Sequence, residues 1–323
     1  MKIEYIKFIT APYFGANKLK GSEHIGMGVP DCGTVLACSL ASIRSNHYHQ
    51  SDCQSPGAMP STRARCIKKV EGDPLIVLSS LFQKFGDWAG QGASFPDPAP
   101  DIPLCVIGDV HGCLPLLERM LRQVPHGHRI ILAGDYIDRG EQSAEVLRYL
   151  RERPDLTCLM GNHEDMLLRF LQDPGGEGGR WIRNGGLQTL ASFDVRGARP
   201  QMNREELCEC RDRLQEAMGE TLTSWVAGLE TSVLSGNVLA VHAGADPRAA
   251  PDEQTEDAIL WGHPDFIRKP RRDGIWVVHG HTIVNQPAAE QGRIAVDTGA
   301  YATGTLSAVC LDGSAPRFLT AQM

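Results

Sequence analysis

Three apolar runs in this chain stop in the same way. Leu104-Cys105-Val106-Ile107 leads into Gly108-Asp109-Val110-His111-Gly112. Ile130-Ile131-Leu132-Ala133 leads into Gly134-Asp135-Tyr136-Ile137-Asp138-Arg139-Gly140, and Thr157-Cys158-Leu159-Met160 into Gly161-Asn162-His163-Glu164. Each run has the length and composition of a buried strand. A strand that ends in glycine and then a carboxylate, amide or imidazole presents chemistry at the carboxyl edge of a sheet. The connections between the runs are short enough for the three endings to meet in one pocket. Hard oxygens mixed with imidazoles suit a pair of divalent cations.

The rest of the chain is organised around those endings. From residue 102 onward, strand, Gly-Asp turn and helix alternate, with helices expected over 116–124 and 143–151 and a third beginning at Glu164. That alternation predicts an α/β fold with sheets covered by helices. The breaker-rich Asp173-Pro174-Gly175-Gly176 opens a mostly helical insert over about 175–229. Strands then resume at 238–241, 275–278, 293–296 and 306–309. Residues 1–100 read differently, with scattered Gly, Pro, Ser and Cys and little periodicity. They are expected to form a poorly ordered N-terminal extension holding one helix over 75–88, ahead of a catalytic domain over 101–318.

Composition narrows the function. A net charge of −7 over 323 residues argues against a duplex nucleic-acid binder. Ten cysteines are too few for a disulfide framework in a chain of this length, which points to reduced thiols in a cytoplasm. Cys32, Cys38, Cys53 and Cys66 lack zinc-knuckle spacing. Met1-Lys2-Ile3-Glu4-Tyr5-Ile6-Lys7 has no secretory apolar core, and the apolar run over 74–81 is far too short to cross a bilayer.

Asp109 and His111 flank one residue, so on an extended ending both face the same side and make a two-tooth clamp. Asp135 carries two oxygens that could bridge a pair of ions, and Asn162 adds a neutral amide oxygen. Two later endings, Val241-His242-Ala243-Gly244 and His279-Gly280-His281-Thr282, add imidazoles.

Gly-Asp-x-His-Gly, Gly-Asp-x-x-Asp-Arg-Gly and Gly-Asn-His-Glu, followed by His-Ala-Gly and Gly-His-Thr, resemble the PPP family of metallophosphatases, nearest its bacterial and bacteriophage serine/threonine branch. The resemblance implies the calcineurin-like metallophosphoesterase fold, two mixed β-sheets packed as a sandwich and flanked by helices. It implies two divalent ions, manganese first and iron, zinc or nickel as substitutes. Asp109, His111 and Asp135 would hold one ion; Asp135, Asn162, His242 and His281 the other. His281 is preferred to His279 because the family's ligand stands in Gly-His before Thr. His163 would protonate the leaving group, Asp138 would orient it, and Arg139 would fork onto phosphate. The implied reaction is direct attack on phosphorus by a hydroxide held between the ions, on a phosphoprotein or small phosphate ester.

Two rival functions share these motifs. A symmetrical dinucleoside tetraphosphate hydrolase typically replaces the Asp of Asp-Arg-Gly and carries Asp after Asn-His, so Asp138 and Glu164 favour the phosphatase. A non-catalytic phosphoprotein-binding module would have lost a ligand or His163, and none is missing. One departure stands out. The bacterial branch carries Trp-x-Arg as a second phosphate clamp, whereas this chain has Trp261-Gly262-His263. His263 would bind phosphate more weakly, with Arg268, Arg271 or Arg272 as substitutes. Arg183 and Asn184 are expected at the rim of the cleft and Asp297 as an orienting residue. Glu164 is expected as a helix-start carboxylate, and Trp181, Trp225 and Trp261 as core.

Overall fold

The computed structural model describes residues 95–323. The helix expected over 75–88, the four N-terminal cysteines and the rest of the expected extension up to residue 94 lie outside the described residues. The last of that stretch, residues 95–100, is extended and tied to the sheet region. Trp276 Nε1 donates to the Pro96 carbonyl at 2.6 Å, and the Asn237 amide bonds the backbone of Asp97 and Ala99.

Among the described residues, ten strands form two mixed sheets. The first holds β1 (Leu104–Ile107), β2 (Arg129–Leu132), β3 (Leu156–Cys158), β9 (Thr305–Leu311) and β10 (Arg317–Gln322), in the order β10-β9-β1-β2-β3. The second holds β4 (Ser232–Ser235), β5 (Val238–Val241), β6 (Trp276–His279), β7 (Ala288–Glu290) and β8 (Arg293–Ala295), in the order β4-β5-β6-β8-β7. β1, β2 and β3 are parallel, as are β5, β6 and β8, so their carboxyl ends gather along one edge of each sheet.

The continuous apolar runs follow from burial on both faces. Leu104 and Val106 point between the sheets, where they meet Val238, Ala240, Val278 and Ile294. Cys105 and Ile107 point the other way, into a core shared with the helices. β5 divides likewise, Val238 and Ala240 inward and Leu239 and Val241 toward Ile259, Leu260 and Phe266. The two-sheet sandwich implied by the family resemblance is therefore present.

The helices are α1 (Leu114–Leu121), α2 (Ser143–Arg151), α3 (Asn162–Gln172), α4 (Pro174–Trp181), α5 (Leu187–Ser192), α6 (Arg204–Ala227), α7 (Glu256–Trp261) and α8 (Ala300–Thr303). Pro115 opens α1 earlier than expected, because proline suits the first helical turn. Between α4 and α5 the chain makes a π turn over Ile182–Gly186. α6 is started by a capping box, Asn203 with Glu206, and breaks at Gly219 (φ 70°). Sequence reading did not single out β4, β7 or β10. All three are sheet edges, where one side of the strand lacks a neighbour and the hydrophobic pattern weakens. β10 also carries the domain past the expected residue 318, to Gln322.

Candidate metal centre

The predicted metal ligands, with Asp138, Arg139 and His163, lie just beyond the carboxyl ends of β1, β2, β3, β5 and β6. The turns that carry them are strained. Seven described non-glycine residues have left-handed backbones, and five of them are His111, Asp135, Asp138, Arg139 and His281. Such conformations cost about 1–3 kcal/mol each and persist only where surrounding contacts over-determine them.

Glu164 supplies much of that constraint. It is fully buried, and its carboxylate accepts the N–H groups of Asp135 (2.9 Å), Tyr136 (2.8 Å) and Gly161 (2.9 Å). It caps the start of α3, as expected, and also clamps the β2 turn against it. Two glycines let the turns close up. A Cβ on Gly161 would stand 2.2 Å from Asp135 Oδ1, and one on Gly280 would stand 1.9 Å from Asp109 Oδ1.

Asp135 is the hub. Its Oδ2 lies 3.6 Å from His111 Nε2 and 3.8 Å from His163 Nε2, while its Oδ1 lies 3.4 Å from His242 Nε2. Two donor sets result, His111 with Asp135 and His163, and Asp135 with His242 and His281, the donor atoms of each lying within 4.8 Å of one another. Asn162 joins the second set, its Oδ1 2.9 Å from His242 Nε2 and 2.8 Å from His281 Nδ1. Asp109 accepts the His281 N–H at 3.0 Å and sits against Asp297.

The donor set fits cations. His111 Nδ1 donates to the Ile137 carbonyl at 2.7 Å, which leaves Nε2 as a lone pair, buried and without a hydrogen-bond partner. His242 Nδ1 donates to the Ala133 carbonyl at 2.9 Å, so its Nε2 lone pair confronts the Asn162 oxygen. Acceptors converging at such distances repel unless a cation lies among them. Burial pushes His111 down to about 3 and His281 down to about 4, and lowers His242 as well, so the imidazoles are neutral, as ligands must be. The nearby acids have the complementary problem. Burial, followed by the charges of Asp297 and Asp135, holds the Asp109 carboxyl well above its ordinary range, and burial pushes Asp297 up to about 6. Buried carboxylates crowded around neutral imidazoles need positive charge from outside the chain.

His163 has a separate support. Its Nδ1 donates to Asp138 Oδ2 at 2.6 Å. Asp138, wholly buried, also accepts Trp181 Nε1 (2.9 Å) and Thr189 Oγ1 (2.6 Å), both from the insert. Burial opposes the His163 charge, but Asp135 and Asp138 outweigh it and raise the pKa. Arg139 Nη2 donates to His163 Nε2 at 3.1 Å, and the π turn backs Arg139, with its N–H on the Gly185 carbonyl. The Arg139 guanidinium lies 5.0 Å from the Tyr301 ring centroid, and the same ring packs edge-on against His111.

Several expectations need correction. His263 bonds to no member of the cluster among the described residues. Its Nδ1 accepts the Asp265 N–H at 3.2 Å, and its Nε2 lies 3.7 Å from Asp246. Arg271 is buried and committed to Asp273 and to the carbonyls of Asp246 and Ala249, so it cannot clamp phosphate. Arg268 and Arg272 line a separate cleft. Asn184 donates to the Arg180 carbonyl, a capping contact on the π turn that lies beside Arg139. Trp261 is partly buried against the core, as expected, bonded to Asp165 and covered by Arg180, and His279 packs on Phe266. Trp181 is core, as expected, and also holds Asp138. Thr189 and Tyr301 gave no sequence signal, because only the fold brings them to Asp138 and Arg139.

Among the described residues, no helix is long and apolar enough to cross a membrane. The calcineurin-like phosphoesterase family model matches residues 102–298. The chain is 29% identical over 213 residues to serine/threonine-protein phosphatase 2 of Salmonella typhimurium, covering 62% of this chain and 89% of that protein. It is 29% identical over 223 residues to the asymmetrical bis(5'-nucleosyl)-tetraphosphatase PrpE of Bacillus velezensis, covering 60% of this chain and 83% of that protein. A solved serine/threonine phosphatase from Saccharomyces cerevisiae aligns with TM-score 0.46 at 18% identity, covering 70% of this chain and 81% of that one.

Proposed function

The chain belongs to the calcineurin-like phosphoesterase family, and we propose that it is a metal-dependent phosphatase acting on phosphoserine and phosphothreonine in proteins. The observation that carries this reading is His163, fixed between Asp138 and Arg139 at the lip of two donor sets that share Asp135. Asp109, His111 and Asp135 would hold one divalent ion, and Asp135, Asn162, His242 and His281 a second, with manganese the metal we assign. Such a pair supplies Lewis-acid stabilisation and an activated water.

The protein's own side chains do the remainder. Arg139 leaves His163 to fork onto two phosphoryl oxygens and hold the ester in line. His163 Nε2, freed of Arg139, takes up a proton from solvent and gives it to the departing seryl or threonyl oxygen. Asp138 keeps the ring aimed through Nδ1, and it is itself aimed by Trp181 and Thr189. The catalytic domain of this reading begins at residue 101 and includes the helical insert. We place the protein in the cytoplasm on its cysteine content.

The relative from Bacillus velezensis makes dinucleoside tetraphosphate the rival substrate. Asp138 and Glu164 argue against the symmetrical tetraphosphatase, and an assay separates the asymmetrical reaction from the phosphatase. The test is a parallel assay with manganese on p-nitrophenyl phosphate, a phosphothreonine peptide and a dinucleoside tetraphosphate. Hydrolysis of the first two is expected; cleavage of the dinucleotide alone would overturn the reading.

A further inference from the structure

The basic run Arg268-Lys269-Pro270-Arg271-Arg272 has no part in the chemistry above. In the fold it forms one wall of a cleft of about 810 Å³, and Pro247, Arg248, Ala249 and Ala250 form the other. The buried Arg271 is the strut between them. It donates to the carbonyls of Asp246 (3.0 Å) and Ala249 (2.8 Å) on one wall and pairs through two nitrogens with Asp273 on its own. The cleft is therefore a built feature rather than a gap between loose loops.

Its charge is unbalanced. Arg248 and Lys269 share the Asp265 carboxylate at 3.5 and 2.8 Å, and Arg248 also meets Asp246. Arg268 and Arg272 have no acidic partner among the described residues. Five cations (Arg248, Arg268, Lys269, Arg271, Arg272) stand against three carboxylates (Asp246, Asp265, Asp273), a surplus of two positive charges on a chain whose net charge is −7. Two free guanidinium groups beside prolines and alanines suit carboxylates carried on a chain whose backbone lies on the apolar floor. Among the described residues no aromatic side chain lines the cleft to stack a nucleobase.

We propose that this cleft docks an acidic segment of the protein substrate, away from the phosphorylated residue. The proposal rests on the protein-phosphatase reading and assigns that enzyme a class of substrate: phosphoproteins with a glutamate- or aspartate-rich stretch outside the phosphosite.

The experiment uses the manganese-loaded full chain and two phosphothreonine peptides that differ only in a tail of glutamates or of glutamines. The acidic tail is expected to lower KM at least about fivefold at unchanged kcat, and about 0.5 M salt should erase the difference. R268E/R272E should abolish the preference, and R268Q/R272Q should weaken it, while both keep wild-type kinetics on p-nitrophenyl phosphate. Equal KM values for the two tails, or a preference that survives R268E/R272E, would overturn the proposal. Should neither peptide be hydrolysed while p-nitrophenyl phosphate is, the protein-phosphatase reading falls by itself. Fluorescence anisotropy of a labelled glutamate-tailed peptide then judges the cleft: binding lost in R268E/R272E sustains it as an acidic-peptide site, and no binding overturns it.

Discussion

The ligand edge and the basic cleft are both crowded with charge, yet they are built in opposite ways. At the edge, His111, Asp135 and His242 are at most 2% exposed, and the backbones of His111 and Asp135 are left-handed. In the cleft, only Arg271 is buried; the cations around it are exposed and paired loosely or not at all among the described residues. A fold commits buried charge and left-handed backbone only where something repays the cost. Exposed ion pairs cost and return little, about 0–1 kcal/mol each. The edge therefore declares its purpose through its own geometry, while the cleft shows only a preference for one sign of charge.

Substitutions can break that contrast, beginning with the most severe. Asp135→Asn removes the carboxylate common to both donor sets, so turnover should fall at least about 10³-fold and bound metal should be lost. Elemental analysis with steady-state kinetics checks this, and a variant that keeps two ions would show that Asp135 is not the shared ligand. His163→Asn should cost at least about 10² in kcat while metal content persists; metal loss would instead make His163 a ligand, a role its place in the first donor set makes worth testing. Glu164→Gln should lower stability by about 1–3 kcal/mol in urea titration, because an amide cannot accept all of the turn N–H groups that the carboxylate serves. The smallest effect belongs to the cleft side. His263→Arg should change phosphate inhibition less than about twofold, since Asp246 would capture the new guanidinium. A tenfold gain would mean that this position faces substrate after all.

The ligand edge was largely legible in the sequence because its signals are local. A strand ending, a glycine and a polar residue occupy three or four positions, and their order along the chain survives into space. The supports were not legible. Thr189 lies 51 residues from Asp138, and Tyr301 lies 162 residues from Arg139, so no window of sequence contains either contact. Glu164 looked like a helix cap because it is one; its second duty depends on how closely the β2 turn approaches. Arg268 and Arg271 looked like phosphate ligands because they fall between two histidines of the motif order. Order along the chain does not fix where a side chain turns: Arg271 is committed to Asp273 and to the carbonyls of Asp246 and Ala249, and Arg268 lines the neighbouring cleft. The missed strands are all edges, where alternation has only one neighbour to obey.

The grip of Trp181 and Thr189 on Asp138 makes the insert a checkpoint on assembly. The proposed ligand residues all come from outside it, so a molecule whose insert had been nicked or had come undocked could still load its cations. Its acid would have lost its aim, leaving a filled but silent enzyme until the insert seats again.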